Sequence, residues 1–207
     1  APGALSPLTA RVTNAAVSAD LVTLDGWRRR VAALGETSTA AKTPERAYAV
    51  ASAEAWIDYA RESYVANPRD VVADSALERA RRITRALEAN EPVPAEGQWT
   101  SSAAARADLR AALDSLRPAV RGSERVAALA DAELALVRAD RLAVTRAPGT
   151  PTIDAARDAA ERNCRLQAEI IRAARLVDWL RGTPTMTVAS APTAPAAIVS
   201  ARTVPAA

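Results

Sequence analysis

Three carboxylates spaced four residues apart form the pattern in this 207-residue chain that most resembles a binding site. Glu54, Asp58 and Glu62 would line one face of a helix, because side chains four residues apart lie on the same side. Carboxylate oxygens bind hard cations such as Ca²⁺ once other ligands complete the coordination sphere. One helix rarely completes it, so a solvated face screened by arginines is the preferred interpretation. We predict neither a metal site nor a cofactor.

Side chains that commonly catalyse reactions near neutral pH are scarce. The chain has no histidine, which removes the usual general base and the commonest metal ligand. Its single cysteine, Cys164, therefore has no histidine with which to form a dyad, and Lys42, the only lysine, stands beside no distinctive serine. No glycine-rich phosphate-binding loop is present in the sequence. We predict that the protein is not an enzyme.

Aromatic residues are few, and some of them are candidates for binding a partner. Trp56 and Tyr64 share the apolar stripe of one predicted helix, so packing in the core is their expected role. Two further tyrosines of that helix lie off the stripe, and the other tryptophans, Trp27 among them, fall near element ends or in a linker. Aromatic residues in such positions often anchor interfaces, although here they could also cap a core without phenylalanine. The candidates are Tyr48, Tyr59, Trp99 and Trp179.

The last 25 residues differ in composition from the rest of the chain. Residues 183–207 are rich in Ala, Pro, Thr and Val, and Arg202 is their only charged residue. A segment with regularly spaced prolines favours an extended chain. We expect it to lie against a partner surface, with packing on its own helical bundle as the alternative. Its candidate contact residues are Pro192, Pro195, Ile198 and Val199.

Composition predicts an all-α fold. Hydrophobic residues make up 49% of the chain, yet there is no Phe and aromatics are 3%, so Ala, Val and Leu supply the apolar volume. Ala is the best helix former, and 7 glycines leave little turn material for a sheet. We expect antiparallel helical hairpins in a bundle or short TPR-like stack, followed by an extended Pro/Ala-rich C-terminal tail.

The spacing of apolar residues and the helix-ending signals predict six helices. They are expected at about 9–34, 44–66, 71–89, 101–121, 123–145 and 153–181. Gly35 is expected to cap the first helix, and Thr43 to cap the second with Pro44 at its first position. Asn67 precedes a proline and ends the second helix, and the third follows almost at once. Such a short connection forces an antiparallel hairpin.

The same signals divide the chain into three regions. The expected regions are an extended N-terminal segment at 1–8, a helical domain at 9–182 and the low-complexity tail at 183–207. Within the domain, hairpins at about 44–90 and 101–182 are separated by a linker at 90–100.

A repeated spacing of alanines links the two predicted hairpins. Ala53-Glu54, Ala76 and Ala80 have the same offsets as Ala132-Glu133, Ala155 and Ala159. The hairpins are therefore either one unit used twice, as in a solenoid-like stack, or a coincidence of an alanine-rich chain.

The charge pattern and the N-terminal residues indicate which partners and which cellular compartment to expect. The net charge is +3, but acidic residues precede arginines by four positions, as in Glu78 and Arg82, which favours exposed helix faces over nucleic-acid binding. No apolar run reaches the ~18 residues that span a bilayer. The start at Ala1-Pro2-Gly3 is what signal-peptide cleavage leaves, with trimming as the alternative. We expect a periplasmic or extracellular, envelope-associated protein.

The segment AEAWIDYARESY at 53–64, followed by Asn67-Pro68-Arg69, resembles a known family. It is similar to the helical region that precedes the peptidoglycan-binding domain in OmpA-family envelope proteins of Gram-negative bacteria. Residues 132–137 resemble the second hairpin of that region, and the likeness extends over about 44–175. The resemblance implies a periplasmic location and association with the outer membrane. No peptidoglycan-binding domain follows Gly182 in this sequence, so cell-wall binding is not implied.

Two functional hypotheses emerge from the sequence. The first is a non-catalytic helical scaffold or accessory subunit of a bacterial cell-envelope assembly. It would bind protein partners, including further copies of itself, through its tail and exposed aromatics, and it would bind no nucleic acid and have no transmembrane segment. The second is a helical ligand- or metal-binding periplasmic module that uses the face of Glu54, Asp58 and Glu62.

Overall fold

The computed structural model describes residues 2–36, 43–93, 106–144 and 153–182. The regular elements within these ranges are all helices. They are α1 (Asn14–Glu36), α2 (Pro44–Ala66), α3 (Val71–Ala89), α4 (Ala107–Leu116), α5 (Ser123–Val144) and α6 (Ile153–Arg181). The prediction of an all-α chain built from antiparallel hairpins is confirmed for these residues.

Local capping interactions set the first hairpin, α2–α3. The Thr43 hydroxyl accepts a hydrogen bond of 3.3 Å from the backbone N–H of Arg46, and Pro44 has the φ angle that a first helical turn needs. Asn67 then leaves the helical conformation (φ −155°, ψ 101°) before Pro68. Asp70 starts α3 by accepting a bond of 2.9 Å from the N–H of Val72. The short connection folds α3 back along α2.

The helices form two three-helix units that meet where α2 packs on α5. Helices α1 to α3 surround one apolar cluster, and α4 to α6 surround a second. Large side chains of the first cluster include Leu24, Trp27, Trp56, Ile57 and Tyr64. Those of the second include Leu109, Leu113, Leu129, Leu136 and Leu180. The α2–α5 contact joins the units, so side chains of one unit complete surfaces of the other.

Some of the alanines that recur at equal offsets in the two hairpins also have equal burial in the structure. Ala53 in α2 and Ala132 in α5 are both fully buried, at 0% exposure, in the helices that correspond in the two units. In α3, Ala76 and Ala80 are buried as well. Ala159 in α6 is only half-buried, because α6 is longer than α5 and its N-terminal part is largely exposed. The two hairpins thus share their central alanine but not the packing of their second helices.

Three sequence-based expectations about local structure are wrong. Helix α1 begins at Asn14 rather than near residue 9, because turns that start with the bond from the Ala10 N–H to the Pro7 carbonyl come first. Gly35 lies inside α1 rather than capping it, with a Val50 methyl 3.4 Å from where a Cβ would stand. Trp27 is a buried residue in the middle of α1 rather than an end residue.

Helix α4 is shorter than the expected 101–121. It begins at Ala107, after Arg106 adopts a left-handed conformation with φ of 61°, and it ends at Leu116 before Pro118. A left-handed residue cannot continue a right-handed helix, and the proline lacks the N–H of a helical turn. Residues 101–105 lie outside the described residues.

A buried polar network holds the N-terminal segment against the first unit. Arg11 is 4% exposed and forms two hydrogen bonds, of 2.8 and 2.5 Å, to the carboxylate of Asp74 in α3. Asp20 of α1 accepts bonds from the backbone N–H and hydroxyl of Ser6, at 2.8 and 2.9 Å, and one of 2.6 Å from the Tyr64 hydroxyl. Burial, together with the bond to Asp20, raises the pKa of Tyr64. Each charge in this network therefore has a partner, as buried charges require.

Candidate functional site

Arginines from neighbouring helices face the three carboxylates of α2. Arg28 of α1 lies 3.0 Å from the carboxylate of Asp58, and Arg138 of α5 lies 2.9 Å from that of Glu62. Within the described ranges, no group of three His, Cys, Asp or Glu side chains is arranged to hold a metal ion. A cavity of about 120 Å³ adjoins Asp58 and Glu62, and two arginines line it. Arginine side chains of the protein thus provide the positive charge that a bound cation would otherwise supply to these carboxylates.

Partial burial affects two of these carboxyl groups. It raises the pKa of Glu54, and the nearby Arg28 opposes the shift. It also raises the pKa of Asp58, with Arg28 again opposing and the Glu62 carboxylate reinforcing the change. A raised carboxyl pKa means that the folded protein favours the protonated form. The carboxylate face is therefore a place where negative charge is costly in the folded protein.

Replacing Glu54 with glutamine should increase the free energy of unfolding at pH 7. The folded pKa of Glu54 is raised, so its contribution to stability is present at low pH and is lost as the pH rises through the folded pKa. Glutamine does not ionise, so the variant does not lose this stability at pH 7. The difference in unfolding free energy between variant and parent should shrink as the pH falls into the range where Glu54 is protonated. Urea denaturation at several pH values measures this. The exposed Glu161→Gln serves as the control, and an equal pH trend in both variants would contradict the interpretation.

Tyr48 lies inside the protein's own interface. Its hydroxyl donates a hydrogen bond to the Glu133 carboxylate of α5, and the Arg117 guanidinium lies 4.7 Å from its ring centroid. Arg117 in turn bonds Glu133 at 2.5 Å. The position of Tyr48 off the α2 core stripe is explained by this second contact face, which packs on α5. Its role in binding a separate partner stays a prediction.

Tyr59 is placed in a similar way farther along α2. It is half-buried beside Trp56, with ring centroids 6.1 Å apart, and Arg138 of α5 stands 4.2 Å from its ring centroid. Burial raises the pKa of its hydroxyl. Both tyrosines therefore contact the other three-helix unit. The sequence could not show this, because the arginines and the glutamate that meet them come from distant positions.

Among the sequence-predicted candidates that the structure describes, Trp179 is the one most open to solvent. It lies in the last turn of α6 with 40% of its surface exposed. The exposed large hydrophobic residues of the described ranges are otherwise aliphatic, namely Val12, Val22, Val65, Val71 and Ile171. Arg125 of α5 lies 5.9 Å from the indole and also donates to the Leu180 carbonyl. The remaining candidates, Trp99, Pro192, Pro195, Ile198 and Val199, lie outside the described residues.

A large cleft between the two units was not anticipated from the sequence. Its volume is about 750 Å³, and it lies between the α2 and α3 ends of the first unit and the α4–α5 connection of the second. Apolar side chains form much of its lining, namely Ile83, Leu87, Val120, Val126 and Leu129, while Tyr48 and Arg117 stand at one side. Ile83, Leu87, Val126 and Leu129 follow ordinary core patterns in their own helices. Only the packing of α2 on α5 brings them together.

Comparisons with known proteins identify no relative of this chain. The chain matches no protein-family model, no curated protein and no solved structure. Among the described helices, none combines the length and the apolar character needed to cross a bilayer.

Proposed function

We propose that this chain is a non-catalytic helical protein that binds a protein partner through Trp179 and residues 183–207. The observation that carries the proposal is the exposure of Trp179, 40% of whose surface is open to solvent in the last turn before that segment. Exposing a large indole keeps apolar surface in water, which a protein partner would relieve. The helical units then serve as the rigid base that presents this segment.

The surroundings of Trp179 suit an interface anchor. Arg125 holds one side of the indole through a cation–π contact and is itself fixed by its bond to the Leu180 carbonyl. Interface residues that contribute most to affinity are enriched in Trp and Arg, and they bind best when their conformation is already set. Trp179 and Arg125 thus form a small prearranged pair at the end of α6.

The lack of histidine supports a non-catalytic role. The sequence has no histidine, and Cys164, its one cysteine, is exposed on α6. The carboxylates that could have formed a site, Asp58 and Glu62, are paired with arginines. These features favour binding over chemistry.

A photo-crosslinking amino acid at position 179 tests the proposal directly in cells that express the full-length chain. We expect a discrete adduct with one protein, because an interface anchor meets the same partner surface in every complex. The same amino acid at Val22, which is 64% exposed on α1, is the matched control and should give no such adduct. Equal adducts at both positions, or none at 179, would contradict the proposed function.

The compartment is also part of the proposal. We propose that the protein works in the bacterial cell envelope as a scaffold or accessory subunit, since residues 53–64 resemble the helical region of OmpA-family proteins. Fractionation of source cells should then find the chain with periplasmic or outer-membrane material. Recovery with cytoplasmic proteins alone would rule out this location.

A further inference from the structure

We propose that the cleft between the two units is the docking surface for Ile198 and Val199 of the same chain. The inference rests on the proposed function only for the identity of the segment that binds the partner. It adds that the cleft holds this segment when no partner is present. The apolar lining of the cleft and the place where α6 ends support this inference.

The cleft offers what a short apolar segment needs. Leu87 of α3 and Leu129 of α5 approach it from opposite units, and its volume of about 750 Å³ lies in the range of sites that bury small ligands. Branched aliphatic side chains such as Ile and Val gain about 1.5–3 kcal/mol each when they are fully buried. Two adjacent residues of this type form the most apolar pair in the segment at 183–207.

The described chain ends beside this cleft. Arg125 bonds the Leu180 carbonyl, and the next residue of α5, Val126, lines the cleft. Val126 and Leu180 also belong to one apolar cluster. Gly182 then has φ of 74°, a left-handed conformation that turns the chain away from the helix axis. An extended chain covers roughly 3.3 Å per residue, so Ile198 can reach any part of the cleft from Gly182.

Carboxylates in the cleft lining offer a place for the one charge of this segment. The wall of the cleft formed by α2 and the end of α3 carries Glu45 and Glu91, both exposed, and also Arg46, whose guanidinium donates to the Leu87 carbonyl and the Asn90 side chain. Arg202, the only charged residue of the segment, follows Val199 closely enough to reach this wall while Val199 lies on the apolar lining. The opposite wall carries Arg117, which pairs with Glu133 at 2.5 Å, and Arg121, which donates to the Val120 carbonyl. The exposed carboxylates of Glu45 and Glu91 are therefore the groups of this lining with which Arg202 would pair.

Docking in the cleft would regulate the partner-binding segment. While Ile198 and Val199 occupy the cleft, they are withdrawn from a partner, so a partner must bind the segment more tightly than the cleft does. The cleft therefore acts as a competitor within the same chain. Substitutions that weaken docking should make partner binding tighter.

Paramagnetic relaxation in the full-length chain tests the proposal. A spin label is attached at Ser200→Cys in a Cys164→Ser background, because the exposed native thiol would otherwise react. We expect the methyl signals of Val126 and Leu129 in the cleft to lose most of their intensity. Val17 and Val72, which lie near the N-terminal ends of α1 and α3, are the control methyls and should keep their intensity.

Two further samples make the result specific. Ile198→Asp combined with Val199→Asp should restore the cleft signals, whereas Ser190→Asp combined with Ala191→Asp should leave them broadened. Unchanged cleft signals in the labelled parent, or equal broadening of the control methyls, would overturn the proposal. Broadening that appears only when spin-labelled and isotope-labelled chains are mixed would also overturn it, because the occupant would be the segment of a second copy. None of these readouts depends on the partner, so this inference and the proposed function can fail separately.

Discussion

Replacing Arg11 with methionine should lower the free energy of unfolding by about 3–5 kcal/mol, the range typical of breaking a buried charged network. Within the described residues, Arg11 is the cation that faces the buried Asp20, at 3.6 Å, and it also forms two hydrogen bonds to Asp74. Without it, Asp20 would keep its bonds from Ser6 and Tyr64 but lose its compensating charge. A buried carboxylate in that condition is far costlier than an exposed one.

Urea denaturation followed by circular dichroism measures this loss. Arg82→Met on the exposed face of α3 is the matched control and should change the unfolding free energy by less than about 0.5 kcal/mol. Adding Asp20→Asn to Arg11→Met should recover part of the stability, because the uncompensated charge is then gone. A loss below about 1 kcal/mol for Arg11→Met would show that the N-terminal segment is not part of the folded core.

Replacing Trp56 with alanine should also cost about 3–5 kcal/mol, as truncations of buried aromatics do. Trp56 is 4% exposed and belongs to the core cluster of the first unit. It also packs against Tyr59, and the Arg79 guanidinium lies 5.8 Å from its ring centroid. Its removal would leave a cavity next to the α2–α5 contact, so both units should be affected.

The matched control is Trp179→Ala, which removes the same side chain from an exposed position in α6. We expect its effect on the urea midpoint to be much smaller, because part of the indole is in water before and after the change. Equal losses for the two tryptophan variants would contradict the assignment of Trp56 to the core and Trp179 to the surface.

The bounds of α2 followed from local sequence signals, whereas the glycine signal at Gly35 did not mark the end of α1. Thr43-Pro44 and Asn67-Pro68 act through neighbouring backbone groups, and α2 begins and ends where these signals predict. The start of α1 could not be predicted in this way. Residues before Asn14 are held in turns while Arg11 bonds Asp74, a residue far away in the chain. The spacing of apolar residues alone predicts a start near residue 9, five residues before the observed one.

The candidate sites were less predictable because they depend on packing between units. The line of Glu54, Asp58 and Glu62 was visible in the sequence, but Arg28 and Arg138, which face it, come from α1 and α5. The cleft was not visible at all, since the apolar residues that α3 and α5 contribute to its lining follow ordinary core patterns. Trp179 was visible as an aromatic near a helix end, and its exposure adds support to that choice.

We propose that Trp179 and residues 183–207 bind a protein partner, and native mass spectrometry of assemblies purified through a tag on the full-length chain tests this most directly. The parent and Val22→Ala should retain a partner of defined mass, because Val22 lies on α1 and away from the claimed surface. Trp179→Ala should lose that partner while its circular dichroism spectrum stays that of the parent. Retention of the same partner by Trp179→Ala and by a chain that lacks residues 183–207 would contradict the account.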